Sequence, residues 1–294
     1  MASSGNESNK REKNDSKLAR VLNSAMAFMI AYLLVMGFLY MSAAVMGKLF
    51  GFDVQVYYYT VKFQLGRQGW TSFNTSWIYG VSTLILAGVG MVSLYAYHYF
   101  KAKLQLANLV LLWAAVISFS IAAAQGLLPV LATDVSSPYY TNLAIVYDRW
   151  HMPDSGMYFI LILFFAGLIF FAINLVRPFL YFSYSYSKVN KRNRRLKYFV
   201  ETAILPFVIA SALILIFYWQ TYHQINFMLQ NGVYIAVISG VLLVTFLMVN
   251  IIDVRPDDVL RYKNLQQISA VQFVVLIVVL VILTVTWQGI YFPF

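Results

Sequence analysis

The sequence has no cysteine. That removes disulfides, thiolate metal ligands and cysteine nucleophiles together. It has three histidines, His98, His151 and His223. So few imidazoles disfavour a di-iron or multi-copper centre and a bis-histidine haem. Charge is scarce too: 11 % of the residues are charged, against about 25 % in an average soluble domain. Of the 11 carboxylates, Glu201 alone falls inside a long apolar stretch. A charge at the centre of a membrane helix costs about 2.5–3.5 kcal/mol on insertion scales. A proton-coupled pump is expected to carry several such groups, so ion pumping is disfavoured.

What the chain has instead is apolar surface. Hydrophobic residues make up 61 % of it and the mean hydropathy is +0.70. An average soluble domain is about 45–50 % apolar. The excess must face something other than water, and lipid is the solvent that fits. Seven apolar stretches fall at about 22–47, 76–99, 105–131, 156–180, 198–220, 231–252 and 268–290. Each holds about 20 residues or more, enough for roughly 30 Å of hydrocarbon at 1.5 Å per residue. The expected fold is all-α: a polytopic membrane helical bundle of about seven transmembrane helices. Residues 1–20 are polar, mixed in charge and without apolar period, and are expected to be a disordered tail with a frayed helical end. Residues 21–294 form one transmembrane domain.

The net charge of +10 finds its explanation in topology. With seven spans, one side holds Lys10, Arg11, Lys13, Lys17, Arg20, Lys101, Lys103, Arg177, Lys188, Lys191, Arg192, Arg194, Arg195, Lys197, Arg255, Arg261 and Lys263. The other side holds only Lys48, Lys62, Arg67 and Arg149. Basic residues stay cytoplasmic, so the N-terminus is expected inside and the C-terminus on the far side. Aromatic belts agree, as at Tyr95, Tyr97 and Tyr99 and at Trp219 and Tyr222. The expected location is a bacterial or archaeal cytoplasmic membrane, and no nucleic-acid partner is expected.

Two outer loops are long, 48–75 and 132–155. The first alternates partly, from Val54 to Tyr59 and from Val61 to Leu65, which fits a short hairpin or an interfacial helix. The second ends in Asp148-Arg149-Trp150-His151-Met152-Pro153-Asp154. Two carboxylates, an arginine and a histidine within seven residues make it the best candidate catalytic segment: Asp148, Arg149, His151 and Asp154. His151 can act as a base, or bind a metal with Asp148 or Asp154, and His223 from the outer end of the fifth span can meet it at the same membrane surface. No cofactor is expected otherwise.

Glu201 lies one turn into the fifth helix, five residues before Pro206. It reads as a proton or cation site, or as a carboxylate complementing the helix N-terminus. The run Lys188, Lys191, Arg192, Arg194, Arg195 and Lys197 sets topology and can also hold anionic lipid headgroups. Small residues mark helix contacts in lipid. Gly232, Ala236 and Gly240, Ala114, Ser118 and Ala122, and Gly80, Leu84 and Gly88 place the second, third and sixth helices at the centre. The seventh, coated by Val274, Val275, Ile277, Val278, Val279, Val281 and Ile282, is expected at the periphery facing lipid, or as a docking surface for another subunit. The amides Asn108, Gln125, Asn174, Asn250, Gln272 and Gln288 are expected to bond between helices or at the interface. Three functions fit: a non-catalytic subunit or scaffold of a membrane complex, a transporter or channel for a neutral or lipidic substrate, and a membrane enzyme with an outward-facing site.

Overall fold

The computed structural model describes residues 4–57, 60–64, 69–100, 105–183, 185–222, 225–252, 268–285 and 289–292. Helix α1 (Ser4–Leu49) leads into a hairpin of β1 (Asp53–Tyr57) and β2 (Thr60–Gln64). Then come α2 (Ser72–Phe100), α3 (Gln105–Leu131), the short α4 (Leu143–Arg149) and α5 (Asp154–Tyr181). The chain continues through α6 (Arg192–Phe217), α7 (Ile225–Met248), α8 (Ala270–Val285) and β3 (Ile290–Phe292). Six described helices are long and apolar enough to cross a membrane. The chain is accordingly a multi-pass helical membrane protein.

The seventh predicted span is shorter as described. Helix α8 has 16 residues, about 24 Å at 1.5 Å per residue, against roughly 30 Å of hydrocarbon. Its direction is fixed at both ends. Ser269 N donates to Asn23 Oδ1 at 2.9 Å, near the start of the apolar part of α1. Ser269 Oγ then accepts from Gln272 N, the bond of a helix N-cap. At the other end β3 pairs antiparallel with β1, Val54 opposite Phe292. Helix α8 therefore runs alongside α1, from the basic end of the bundle to the hairpin end.

Of the two readings of the 48–75 loop, the structure takes the hairpin. The sheet order is β2-β1-β3. Val54 and Val56 of β1 bury one face, next to Phe52, Ala44 and Ile78. Phe52, Phe63, Trp70 and Tyr79 close this cap by ring contacts of 4.5–6.3 Å. Thr71 and Asn74 form a capping box that starts α2.

The third helix is the hub, as its Ala114, Ser118 and Ala122 face implied. Its apolar stretch is 72 % buried within the protein; the next most buried is α1 at 56 %, ahead of α7 at 39 % and α2 at 33 %. The centre is therefore α3 and α1, not the second, third and sixth helices together. The reason lies in which small residues face inward. A methyl at Gly90 would stand 3.0 Å from the Phe119 ring, and one at Gly126 would stand 2.5 Å from the Phe164 ring. These glycines let α2 and α5 approach α3. Gly232, Ala236 and Gly240 are exposed, and nothing lies within 4 Å of a methyl built at either glycine. Leu84 is 70 % exposed.

The amides mostly act as expected. Gln125 Nε2 donates to Tyr234 Oη at 2.6 Å, joining α3 to α7. Asn108 Nδ2 donates to Phe100 O, closing the α2–α3 turn. Gln272 Nε2 reaches Leu106 O at 3.4 Å. Asn174 is exposed and, among the described residues, bonds within its own helix, to Phe170 O. Gln288 lies outside the described residues.

Candidate functional site

The sequence nominated one site at each end of the bundle, and the geometry of each follows from a helix terminus. At the hairpin end, α4 stops after Arg149. His151 N donates to Asp148 O at 3.0 Å and Met152 N to Tyr147 O at 2.9 Å. This pair of bonds is the Schellman ending, and His151 holds its left-handed position at φ 48°. Pro153 follows and cannot continue a helix. The segment dense in reactive residue types is thus first a helix stop.

Its side chains divide accordingly. Asp148 accepts from Tyr140 Oη at 2.6 Å. Burial, then this bond, push the Tyr140 hydroxyl up to about 12. Arg149 is exposed, and its carbonyl accepts from Ser72 Oγ at 3.2 Å. Trp150 Nε1 donates to Ser76 Oγ, so both contacts tie α4 to the start of α2. Asp154 is exposed in the first turn of α5, where a carboxylate complements the helix dipole. His223 lies outside the described residues. Among the described residues no group of three or more His, Asp or Glu side chains is placed to hold a metal ion.

Two cavities adjoin this segment. One, of about 250 Å³, is lined by Asp134, Tyr140, Tyr147, Asp148, His151 and Met152 among others. Asp134 is held below the usual carboxylate range by the Ser136 hydroxyl and then the Ser136 amide. The other, of about 580 Å³, is apolar, with walls of Trp77, Leu84, Val146, Trp150, Ile160 and Phe164. Tyr147 and Met152 line both. The structure thus brings Asp148 and His151 to one pocket and leaves Asp154 out of it. Asp134 and Tyr140 were missed because they precede the dense segment by more than one turn of chain.

At the basic end, Pro206 shapes the start of α6. It has no N–H for the carbonyl four residues back, Thr202 O, and its ring crowds that oxygen. Helix α6 widens to a π-helical turn over Val200–Ile204, and Leu205 N donates to Val200 O. Thr202 O accepts instead from Ser24 Oγ of α1 at 2.6 Å. Glu201 lies in this turn. Its Oε2 accepts from Arg20 Nη2 of α1 at 2.6 Å, with the two side chains 12 % and 6 % exposed. The guanidinium lies 5.8 Å from the Tyr198 ring centre.

The basic run splits in three. Lys188, Arg194 and Lys197 line a polar cavity of about 330 Å³. Arg195 is buried, and its Nη1 donates to Ile252 O, holding the end of α7. Lys191 and Arg192 are exposed away from the cavity. Lys17, Arg20, Ser187, Tyr198 and Glu201 complete its lining. Lys17 and Arg20 read only as tail charges in the sequence, since no local pattern links them to residues some 180 positions later. No family model, no curated protein and no solved structure matches this chain.

Proposed function

We propose that this chain is a non-catalytic subunit or scaffold of a larger membrane complex, with its basic end in the cytoplasm and its hairpin cap outside. One observation carries the reading. On α7, Leu229, Gly232, Ala236, Gly240, Leu243 and Leu247 form one exposed stripe running the length of the helix. Small residues four apart let a second helix come close, and close packing is what drives helix association in lipid. Within this chain nothing described occupies that groove at Gly232 or Gly240. The side chains nominated for chemistry support the same reading, since Glu201 joins α1 to α6 and Asp148 closes its own loop.

The test is partner retention. Gly232→Leu with Gly240→Leu fills the groove, and a Cβ at either position meets nothing within 4 Å in the described chain. The unfolding free energy of the lone protein should not fall, and should rise by up to about 1 kcal/mol per site because glycine is the poorer helix former. Proteins that co-purify with the wild-type chain from its native membrane should be lost from the variant. A wild-type chain that leaves that membrane monodisperse and alone would overturn the reading.

A second reading, an outward-facing enzyme site, is favoured by Asp148 and His151 meeting in one pocket beside an apolar groove. His151→Gly separates the two. Glycine adopts φ > 0 freely, so the helix stop should gain about 0.5–1 kcal/mol in thermal unfolding. A subunit keeps its assembly and the activity of its complex in this variant. An enzyme or metal site loses turnover or bound metal with the imidazole.

A further inference from the structure

Among the described residues the cavity at the basic end gathers five cations, Lys17, Arg20, Lys188, Arg194 and Lys197, against one carboxylate, Glu201. Like charges crowded into one partly enclosed space repel, and the single Glu201 does not balance them. Helix direction adds to this. The first turns of α6 carry Arg192, Arg194, Arg195 and Lys197, no acidic residue, and no side-chain cap at Lys191. Positive side chains sit where the helix dipole is already positive. That arrangement opposes folding unless an anion joins it.

Two further atoms point the same way. Arg20 and Tyr198 are 6 % and 4 % exposed, and both line the cavity. Arg20 Nε and Tyr198 Oη are buried, and no described residue gives either a hydrogen bond. Buried donors without a partner are costly. Arg20 uses Nη2 on Glu201 and leaves Nε without a described partner. A guanidinium edge, a phenol and flexible ammonium groups are the donors that hold phosphate oxygens.

We propose that this cavity is a phosphate-binding site, with Arg20 Nε and Tyr198 Oη as its fixed donors and Lys17, Arg194 and Lys197 as its cationic rim. The phosphate can arrive on a membrane lipid or in solution. The cavity lies just before α1 and α6 enter their apolar stretches, among Lys17, Arg20, Arg194 and Lys197, so a lipid headgroup reaches it without leaving the bilayer.

The experiment uses the full chain in mild detergent and follows its thermal unfolding, which a ligand of the folded state raises by mass action. The probes are phosphatidic acid, phosphatidylcholine and inorganic phosphate, each titrated separately. Phosphatidic acid should stabilise the wild-type chain saturably, and phosphatidylcholine should not. Arg194→Gln with Lys197→Gln, both exposed positions, should weaken this by about tenfold or more. Tyr198→Phe, which keeps the ring, should weaken it a few-fold. If inorganic phosphate stabilises the chain and competes with the lipid, the phosphate comes from solution. If only the lipid does so, the site holds a headgroup. Either result supports the site. Equal response to phosphatidic acid and phosphatidylcholine, no response to any probe, or undiminished binding in both variants overturns it. Should the double variant melt early without ligand, Tyr198→Phe alone decides.

Discussion

Glu201→Ala should lower the unfolding free energy by about 3–5 kcal/mol, measured by denaturing-detergent titration of the chain in mixed micelles. The cost does not come from losing an attraction alone. Arg20 is 6 % exposed, and its Nη2 bond to Glu201 Oε2 at 2.6 Å is the contact that neutralises it there. Without the carboxylate, a guanidinium is left buried with its charge uncompensated. Glu201→Gln keeps an acceptor oxygen and should cost less, about 1.5–3 kcal/mol, the range of hydrogen bonds to charged groups. Arg20→Met combined with Glu201→Leu removes both charges and should recover most of the loss, since apolar replacements of buried pairs are often neutral or stabilising. A loss below about 1 kcal/mol in Glu201→Ala would mean the pair is well solvated and does not hold α1 to α6. The double-mutant cycle gives the coupling between the two residues directly.

This ion pair shows where sequence reading reached its limit. The apolar stretches were legible because lipid demands about 20 apolar residues per crossing. The hub at α3 was legible in Ala114, Ser118 and Ala122. Spacing of small residues says that a helix can approach, not which one, so Gly232, Ala236 and Gly240 pointed outward while the sequence placed them inside. The capping pattern at His151 was hidden by its residue types: a histidine between two aspartates looks like chemistry, and its left-handed φ is a backbone fact. Strand β3 is three residues long, too short for any period, and its partner β1 lies at the other end of the chain. Arg20 read as one more topological charge until the fold set it against Glu201. What a linear pattern misses at β3, at Arg20 and in the helix pairing is a contact between distant segments, and such contacts define the cationic cavity as well.

Trp113→Ala should be the second large loss, about 3–5 kcal/mol by the same measurement. Trp113 is fully buried at the middle of the bundle. Its ring meets Phe28 of α1 edge-on at 5.0 Å and Phe179 of α5 at 5.1 Å. Its Nε1 donates to Ser24 Oγ at 3.0 Å, and Ser24 in turn donates to Thr202 O of α6. One side chain thus joins α1, α3, α5 and, through a hydroxyl, α6 at the carbonyl that Pro206 leaves open. In lipid the transfer contribution to burial is small, because acyl chains are as apolar as the core. The cost must come from the cavity, the lost ring contacts and the broken relay. Trp113→Phe separates these: it keeps a ring but loses the N–H, and should cost about 1–3 kcal/mol. Ser24→Ala should cost a similar amount, because it strands the indole N–H and Thr202 O together. If the two bonds form one relay, Trp113→Phe with Ser24→Ala should cost clearly less than the sum of the single losses. Additive losses would mean that the Ser24–Thr202 bond holds α6 to α1 without help from the indole.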